Sequence, residues 1–209
     1  HVDRLEIGSA RVSEGERQAI ADILAWADHR SCAERMEILG FVDNGKSAHW
    51  IQDAGGRVLN LLAKGSERHC RIQLRKEPAQ HRAEVCAEIE KAAALGLSVN
   101  VYLEDWSNGM ASSFPYVYEF FKALQDCPVE RIMLPDTLGI MTPDRMTRYL
   151  DWIYSAFPDV RLDFHGHNDY GLVTANSLAA VRAGVSGIHT SINGLGERTG
   201  NQPLAELVV

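Results

Sequence analysis

The chain has 209 residues, 45% of them hydrophobic and 23% charged, and carries a formal net charge of −7. That balance fits a soluble globular domain with one sizeable core and argues against nucleic acid or an anionic membrane as the main partner. No apolar run approaches the length of a membrane span, and no signal-peptide pattern opens the chain.

Short β-rich runs alternate with helical ones from end to end. The first strand candidate, Val2–Ile7, runs into Gly8-Ser9, and a capping box of Ser13 and Glu16 then opens a helix carrying Ala19, Ile20, Ile23 and Leu24. Arg35–Val42 follows and closes on Asp43-Asn44, after which the stretch from Gly45 to Gly56 leaves room only for a short helix. Val58–Ala63 ends in Lys64-Gly65-Ser66. Pro78 takes a first-turn position before Val85, Ile89 and Ala92, and Gly96 stops that helix. Ser98–Leu103 ends at Glu104-Asp105, and Arg131–Leu134 runs through Pro135 to Asp136-Thr137. Thr142 caps a helix with Pro143 in its first turn, and Met146, Leu150, Ile153 and Tyr154 supply a buried stripe. Val160–Phe164 leads to His165-Gly166-His167 and a helix with Leu172, Ala175, Leu178 and Ala179, ended by Gly184. The last strand candidate, Gly187–Ile192, leads to Asn193-Gly194 and a closing helix, Leu204–Val209.

Strand–helix units of roughly 30 residues imply a parallel sheet, because parallel strands need long crossovers. The expected fold is therefore α/β, a (β/α)8 TIM barrel. A full barrel takes about 250 residues, so residues 1–209 read as a single catalytic barrel domain whose first strand and C-terminus lie outside this chain. An open doubly wound sheet is the competing architecture. The four cysteines, Cys32, Cys70, Cys86 and Cys127, are scattered without a Cys-x-x-Cys pair and read as buried thiols of a reducing cytoplasm.

Polar residues gather at the strand tips: Glu6, Lys64, Glu104, Asp105, Asp136, Thr137, His165 and His167. Residues i and i+2 of a strand point the same way, so the two imidazoles project together, roughly 6–7 Å apart at the backbone. One divalent ion can bridge that span. His-x-His alone is as readily a pair satisfied by backbone groups, and Asp-Thr-x-Gly alone is a turn with a helix cap. The glycine-rich loop Asn193–Asn201 shifts the balance, since its glycines permit close backbone approach and Asn201 can offer an amide oxygen to a metal. Thr137 and the N–H groups after it can hold a substrate carboxylate.

The chain resembles the acyl-CoA-dependent carboligases of the metal-dependent TIM-barrel group, which includes 2-isopropylmalate, homocitrate and citramalate synthases. The likeness rests on Leu5-Glu6-Ile7-Gly8, Leu134 through Gly139, His165 through Gly171 with Ala175-Asn176-Ser177, and Asn193 through Asn201, in that order. It implies a metal held by His165, His167 and Asn201. It further implies that Glu104 positions the reacting groups, that Thr137 holds the 2-oxo acid carboxylate, and that Glu197 and Arg198 lie by the acyl-CoA. The family's Arg-Asp-Gly-x-Gln motif does not occur here, and Asn108 stands where an arginine is usual.

The implied reaction is a Claisen-type condensation of acetyl-CoA with a 2-oxo acid in a cytoplasmic homodimer. Imidazole and oxygen donors suit Zn²⁺ or Mn²⁺, with Mg²⁺ also compatible. Two rival readings remain: a metal-dependent lyase or aldolase on the same barrel, and a non-catalytic fragment. The lyase branch that cleaves hydroxymethylglutaryl-CoA carries a cysteine in its glycine loop, and the loop Asn193–Asn201 has none.

Overall fold

The computed structural model describes residues 2–208. Its strands are β1 (Leu5–Ser9), β2 (Met36–Phe41), β3 (Val58–Lys64), β4 (Ser98–Glu104), β5 (Arg131–Asp136), β6 (Leu162–Gly166) and β7 (Gly187–His189). The helices are α1 (Glu14–Asp28), α2 (Lys46–Asp53), α3 (Glu67–Ile72), α4 (Pro78–Ala94), α5 (Trp106–Ser112), α6 (Phe114–Leu124), α7 (Pro143–Ala156), α8 (Val173–Arg182) and α9 (Leu204–Leu207). The seven strands make one sheet in the order β1-β2-β3-β4-β5-β6-β7. The β1–β2, β2–β3, β5–β6 and β6–β7 pairings are parallel. A doubly wound sheet would reverse its strand order at a switch point; this order never reverses, so that alternative falls.

Contacts group the chain into two units. The first comprises residues 1–63, 79–101 and 123–130. Its apolar core is built from Ile20 and Leu24 of α1, Ile38 of β2, Leu59 and Leu61 of β3, and Val85, Ile89 and Ala92 of α4, all at most 3% exposed. The α4 residues recur at helical spacing, which lays one stripe against the strands. Beside this core lies a polar network. Asn60 donates its amide to Glu6 at 2.7 Å and to Glu37 at 3.0 Å, and accepts from Asn100 at 2.8 Å.

The second unit comprises residues 64–78, 102–122 and 131–209. Strand β5 is buried at every position, as expected of an apolar run, Ile132-Met133-Leu134, covered on both faces. Met146, Leu150 and Ile153 form the buried stripe of α7. Trp106, Phe120, Phe121 and Phe164 supply the largest buried side chains of this unit.

Several local expectations need correction. Strand β1 pairs with β2 from Leu5 to Ser9, so Glu6 sits near its start rather than at its tip. Ser13 caps α1 by accepting from the Glu16 N–H at 3.1 Å, but the reciprocal half of the box is missing, because the Glu16 carboxylate accepts from the Ser9 N–H instead. Thr142 precedes α7 without a capping bond from its hydroxyl. Strand β7 stops at His189, since residues 192–194 turn into a 3-10 segment in which Asn193 adopts a positive φ of 55°. Of the closing helix, α9 covers Leu204–Leu207, and Val209 lies outside the described residues. Only Cys70 is buried; Cys32, Cys86 and Cys127 keep partial exposure, and all four are free thiols. Among the described residues no helix is long and apolar enough to cross a membrane.

Candidate active site

His165 lies near the C-terminal end of β6, directly across from Pro135 of β5 and His189 of β7. Two residues on, His167 forms an isolated antiparallel bridge with Asn201. The imidazoles turn toward one another, and their Nε2 atoms are 3.4 Å apart. The glycine loop is strapped to this strand end, because the Asn168 N–H donates to the Gly200 carbonyl at 2.9 Å and the Asn201 N–H to the Gly194 carbonyl at 3.0 Å. Glycine is required at two points of the strap. Gly200 has a φ of 91°, and a Cβ on Gly196 would collide with the Asn201 amide. The Asn201 Oδ1 is buried and has no hydrogen-bond partner.

These three residues fit a divalent ion. Two nitrogens bound at 2.0–2.1 Å around a tetrahedral centre lie about 3.3 Å apart, close to the observed 3.4 Å. Burial, then the neighbouring His189 and His167, push the His165 imidazole down to about 3, which leaves its lone pair unprotonated. Burial, with Arg198 next in weight, likewise lowers His167. A neutral imidazole is the ligating form, and the Asn201 amide oxygen is buried without a hydrogen-bond partner. No cluster of three or more His, Cys, Asp or Glu side chains with metal-holding geometry occurs among the described residues; the candidate donors here are two imidazoles and an amide.

A second group of polar side chains is assembled at the ends of β3, β4 and β5. Lys64, the last residue of β3, donates to Glu104, the last residue of β4. His69 faces both acids, with Nδ1 at 3.8 Å from Glu104 and Nε2 at 3.4 Å from Asp105. Asp105 takes a left-handed φ of 66° and is held there by the Ser66 hydroxyl at 2.6 Å and the Asn108 amide at 2.8 Å. Its N–H donates to the Thr137 hydroxyl oxygen at 2.8 Å. Thr137 is thus an acceptor in that bond, and its own proton is left to donate. The N–H groups of Ile140 and Met141 close instead onto the buried Asp136 carboxylate, at 3.1 and 2.9 Å.

Arg198 joins the two groups. It forks onto Asp169 at 2.7 and 2.9 Å and donates to the Thr137 carbonyl at 2.6 Å. Glu197 beside it stays exposed and contacts Arg198 at 3.4 Å.

Three residues near these groups, Tyr102, His189 and His69, were not singled out in the sequence. The Tyr102 hydroxyl lies 3.0 Å from the His189 Nδ1, and its ring meets His165 edge-on at 6.0 Å. His189 also lies 3.6 Å from Asp163, which pairs with Arg131 at 2.6 Å. His189 had a readable signal, since it stands on the strand next to His165 at the same level. Tyr102 stands two residues before Glu104 on the same face of β4, whereas His69 is hidden in the first turn of α3.

A parallel β/α sheet whose polar residues meet at the C-terminal strand ends has the architecture of a β/α barrel with its site at the usual face. The chain belongs to the HMGL-like family, whose profile matches residues 1–209. It is 33% identical over 217 residues to a homocitrate synthase of Methanopyrus kandleri, covering all of this chain and 50% of that protein. It is 30% identical over 212 residues to a 2-isopropylmalate synthase of Pyrococcus abyssi, covering all of this chain and 43% of that one. The chain thus spans about half the length, or less, of these relatives. Among solved structures, the HMG-CoA lyase of Brucella melitensis superposes with a TM-score of 0.79 at 21% identity, over 99% of this chain and 76% of that one. That likeness establishes the TIM-barrel fold and nothing about the reaction.

Proposed function

We propose that this chain is the barrel segment of an enzyme that condenses acetyl-CoA with a 2-oxo acid, as the names of its synthase relatives suggest. The observation that carries the reading is the convergence of His165 and His167 at 3.4 Å, with Asn201, whose amide oxygen is buried without a partner, bridged to His167 through the backbone. These three would hold a divalent ion, Zn²⁺ or Mn²⁺ by donor type. When bound, such an ion supplies a Lewis acid that polarises the carbonyl of the 2-oxo acid.

The protein's own groups do the rest. Thr137, whose hydroxyl proton is left free by the bond from the Asp105 N–H, donates to the acceptor's carboxylate. Glu104 orients the reacting groups from the end of β4. Arg198, fixed by Asp169 and the Thr137 carbonyl, carries the glycine loop over the site, and with Glu197 it faces the acyl-CoA. We place the enzyme, as a homodimer, in the cytoplasm, a compartment in which its four free thiols stay reduced.

The test uses the full-length protein and follows free thiol release from acetyl-CoA with pyruvate, 2-oxoisovalerate, 2-oxoglutarate and oxaloacetate. Release that depends on one of these acids is expected. No release with any of them, together with cleavage of a 3-hydroxyacyl-CoA, would replace the synthase reading by a lyase.

A further inference from the structure

The pairing of Lys64 with Glu104 lies in a setting built to fix it. The two side chains are only 14% and 23% exposed, so this is not the solvated surface pair that contributes next to nothing. The backbones that carry them are fastened independently of the pair. The Gly65 N–H donates to the Glu104 carbonyl at 2.5 Å. The Tyr116 hydroxyl donates to the Lys64 carbonyl at 2.8 Å. Both approaches need glycine: a Cβ on Gly65 would collide with the Leu103 carbonyl, and a Cβ on Gly109 with the Gly65 carbonyl. These contacts fasten the end of β3 to the end of β4 and to α5 and α6, and set the lysine against the acid.

We propose that Lys64 is a positioning residue that locks the Glu104 carboxylate for the reaction, an inference that rests on the synthase reading above. The ammonium engages Oε2. Oε1, with the His69 ring 3.8 Å away, is the oxygen left to meet the reacting groups. Without the ammonium, Glu104 is free to change rotamer, and a misplaced orienting group costs turnover more than it costs binding.

A double-mutant cycle in the full-length protein tests this with Lys64→Met, Glu104→Gln and the double variant. Lys64→Met is expected to lower kcat about tenfold to a hundredfold, with the KM for acetyl-CoA held within about twofold. In the Glu104→Gln background the same change is expected to have no further effect on kcat, because a positioning residue acts on turnover through the group it positions. Equal losses in both backgrounds, or a loss confined to KM, would overturn the proposal. Acetylation of Lys64 by acetic anhydride, followed by peptide mass spectrometry, reads the pairing without turnover. Lys64 is expected to label several times faster in Glu104→Gln than in the wild type. If the wild type were inert with every 2-oxo acid, the function would fall, while an unchanged labelling rate would separately overturn the pairing.

Discussion

The two units handle buried polar groups in opposite ways. In the first unit they satisfy one another: Asn60 serves Glu6, Glu37 and Asn100 at once, and the Glu88 carboxylate receives the Gly45 N–H at 2.6 Å. In the second unit the buried Nδ1 of His167, Oδ1 of Asn176 and Oδ1 of Asn201 have no hydrogen-bond partner. Native proteins leave few such groups, and each one asks for a reason. The first of these atoms belongs to the imidazole pair itself and the third to Asn201, which bridges to His167, where a ligand would satisfy them. The first unit therefore reads as scaffold and the second as site, although both are built from the same repeating strand and helix.

Breaking the site should have the largest effect on chemistry and the smallest on folding. His165→Ala or His167→Ala removes one of two nitrogens that lie 3.4 Å apart. Metal content of the purified full-length protein is expected to fall, with turnover down about a thousandfold as the several kcal/mol of Lewis-acid stabilisation are lost. Thermal unfolding of the metal-free proteins should barely differ. Metal content equal to the wild type in either variant would remove the ligand assignment.

Breaking the scaffold should do the reverse. Asn60 is fully buried, and Glu37 is 4% exposed, so Asn60→Leu strips a buried carboxylate of an amide donor. A loss of about 2–4 kcal/mol is expected in urea unfolding, with metal content per folded molecule unchanged. A stability loss below about 0.5 kcal/mol, the level of an ordinary surface substitution, would show that the network is not what satisfies this unit.

The candidate site was partly legible in the sequence because its legible part is local. His165 and His167 are two residues apart on a strand, so their shared direction follows from the pleat alone. Asn201 was marked by the glycines that bring its loop close. Lys64 and Glu104 meet across 40 residues, and Tyr102 and His189 across 87; no local periodicity encodes such encounters. The strand-and-helix alternation was legible for the same local reason, and the boundaries were not. Glu6 was misplaced because the β1 ladder is set by its partner β2, from Leu5 to Ser9, not by its own apolar run.

Thr137 sharpens the comparison at smaller scale, since its hydroxyl accepts from the Asp105 N–H at 2.8 Å and keeps a proton to donate. Thr137→Val preserves shape and removes that donor, together with the acceptor for the Asp105 N–H. The KM for the 2-oxo acid should rise about tenfold, the equivalent of one hydrogen bond to a charged group, with the KM for acetyl-CoA unchanged. An effect on acetyl-CoA instead would move Thr137 to the other substrate.

The smallest effect belongs to Glu88, a buried acid of the first unit, 2% exposed. Burial raises its carboxyl above the ordinary 4.5, outweighing the Gly45 N–H that favours the charged form, and Asp43 pushes the same way. The folded state therefore holds this proton more tightly than the unfolded chain does. The stability it contributes is full below the unfolded value and is lost as pH rises through the folded one. At neutral pH the charged form is thus a mild burden, and Glu88→Gln keeps an acceptor for the Gly45 N–H while removing that charge. The variant should match or exceed wild-type stability at pH 7, by up to about 1 kcal/mol, and lose the advantage in acid, near pH 4. Urea unfolding at the two pH values reads the difference directly. A variant clearly less stable than the wild type at pH 7 would show that the carboxylate's charge, rather than its shape, holds the Gly45 turn, and that the scaffold unit too depends on an ionised group.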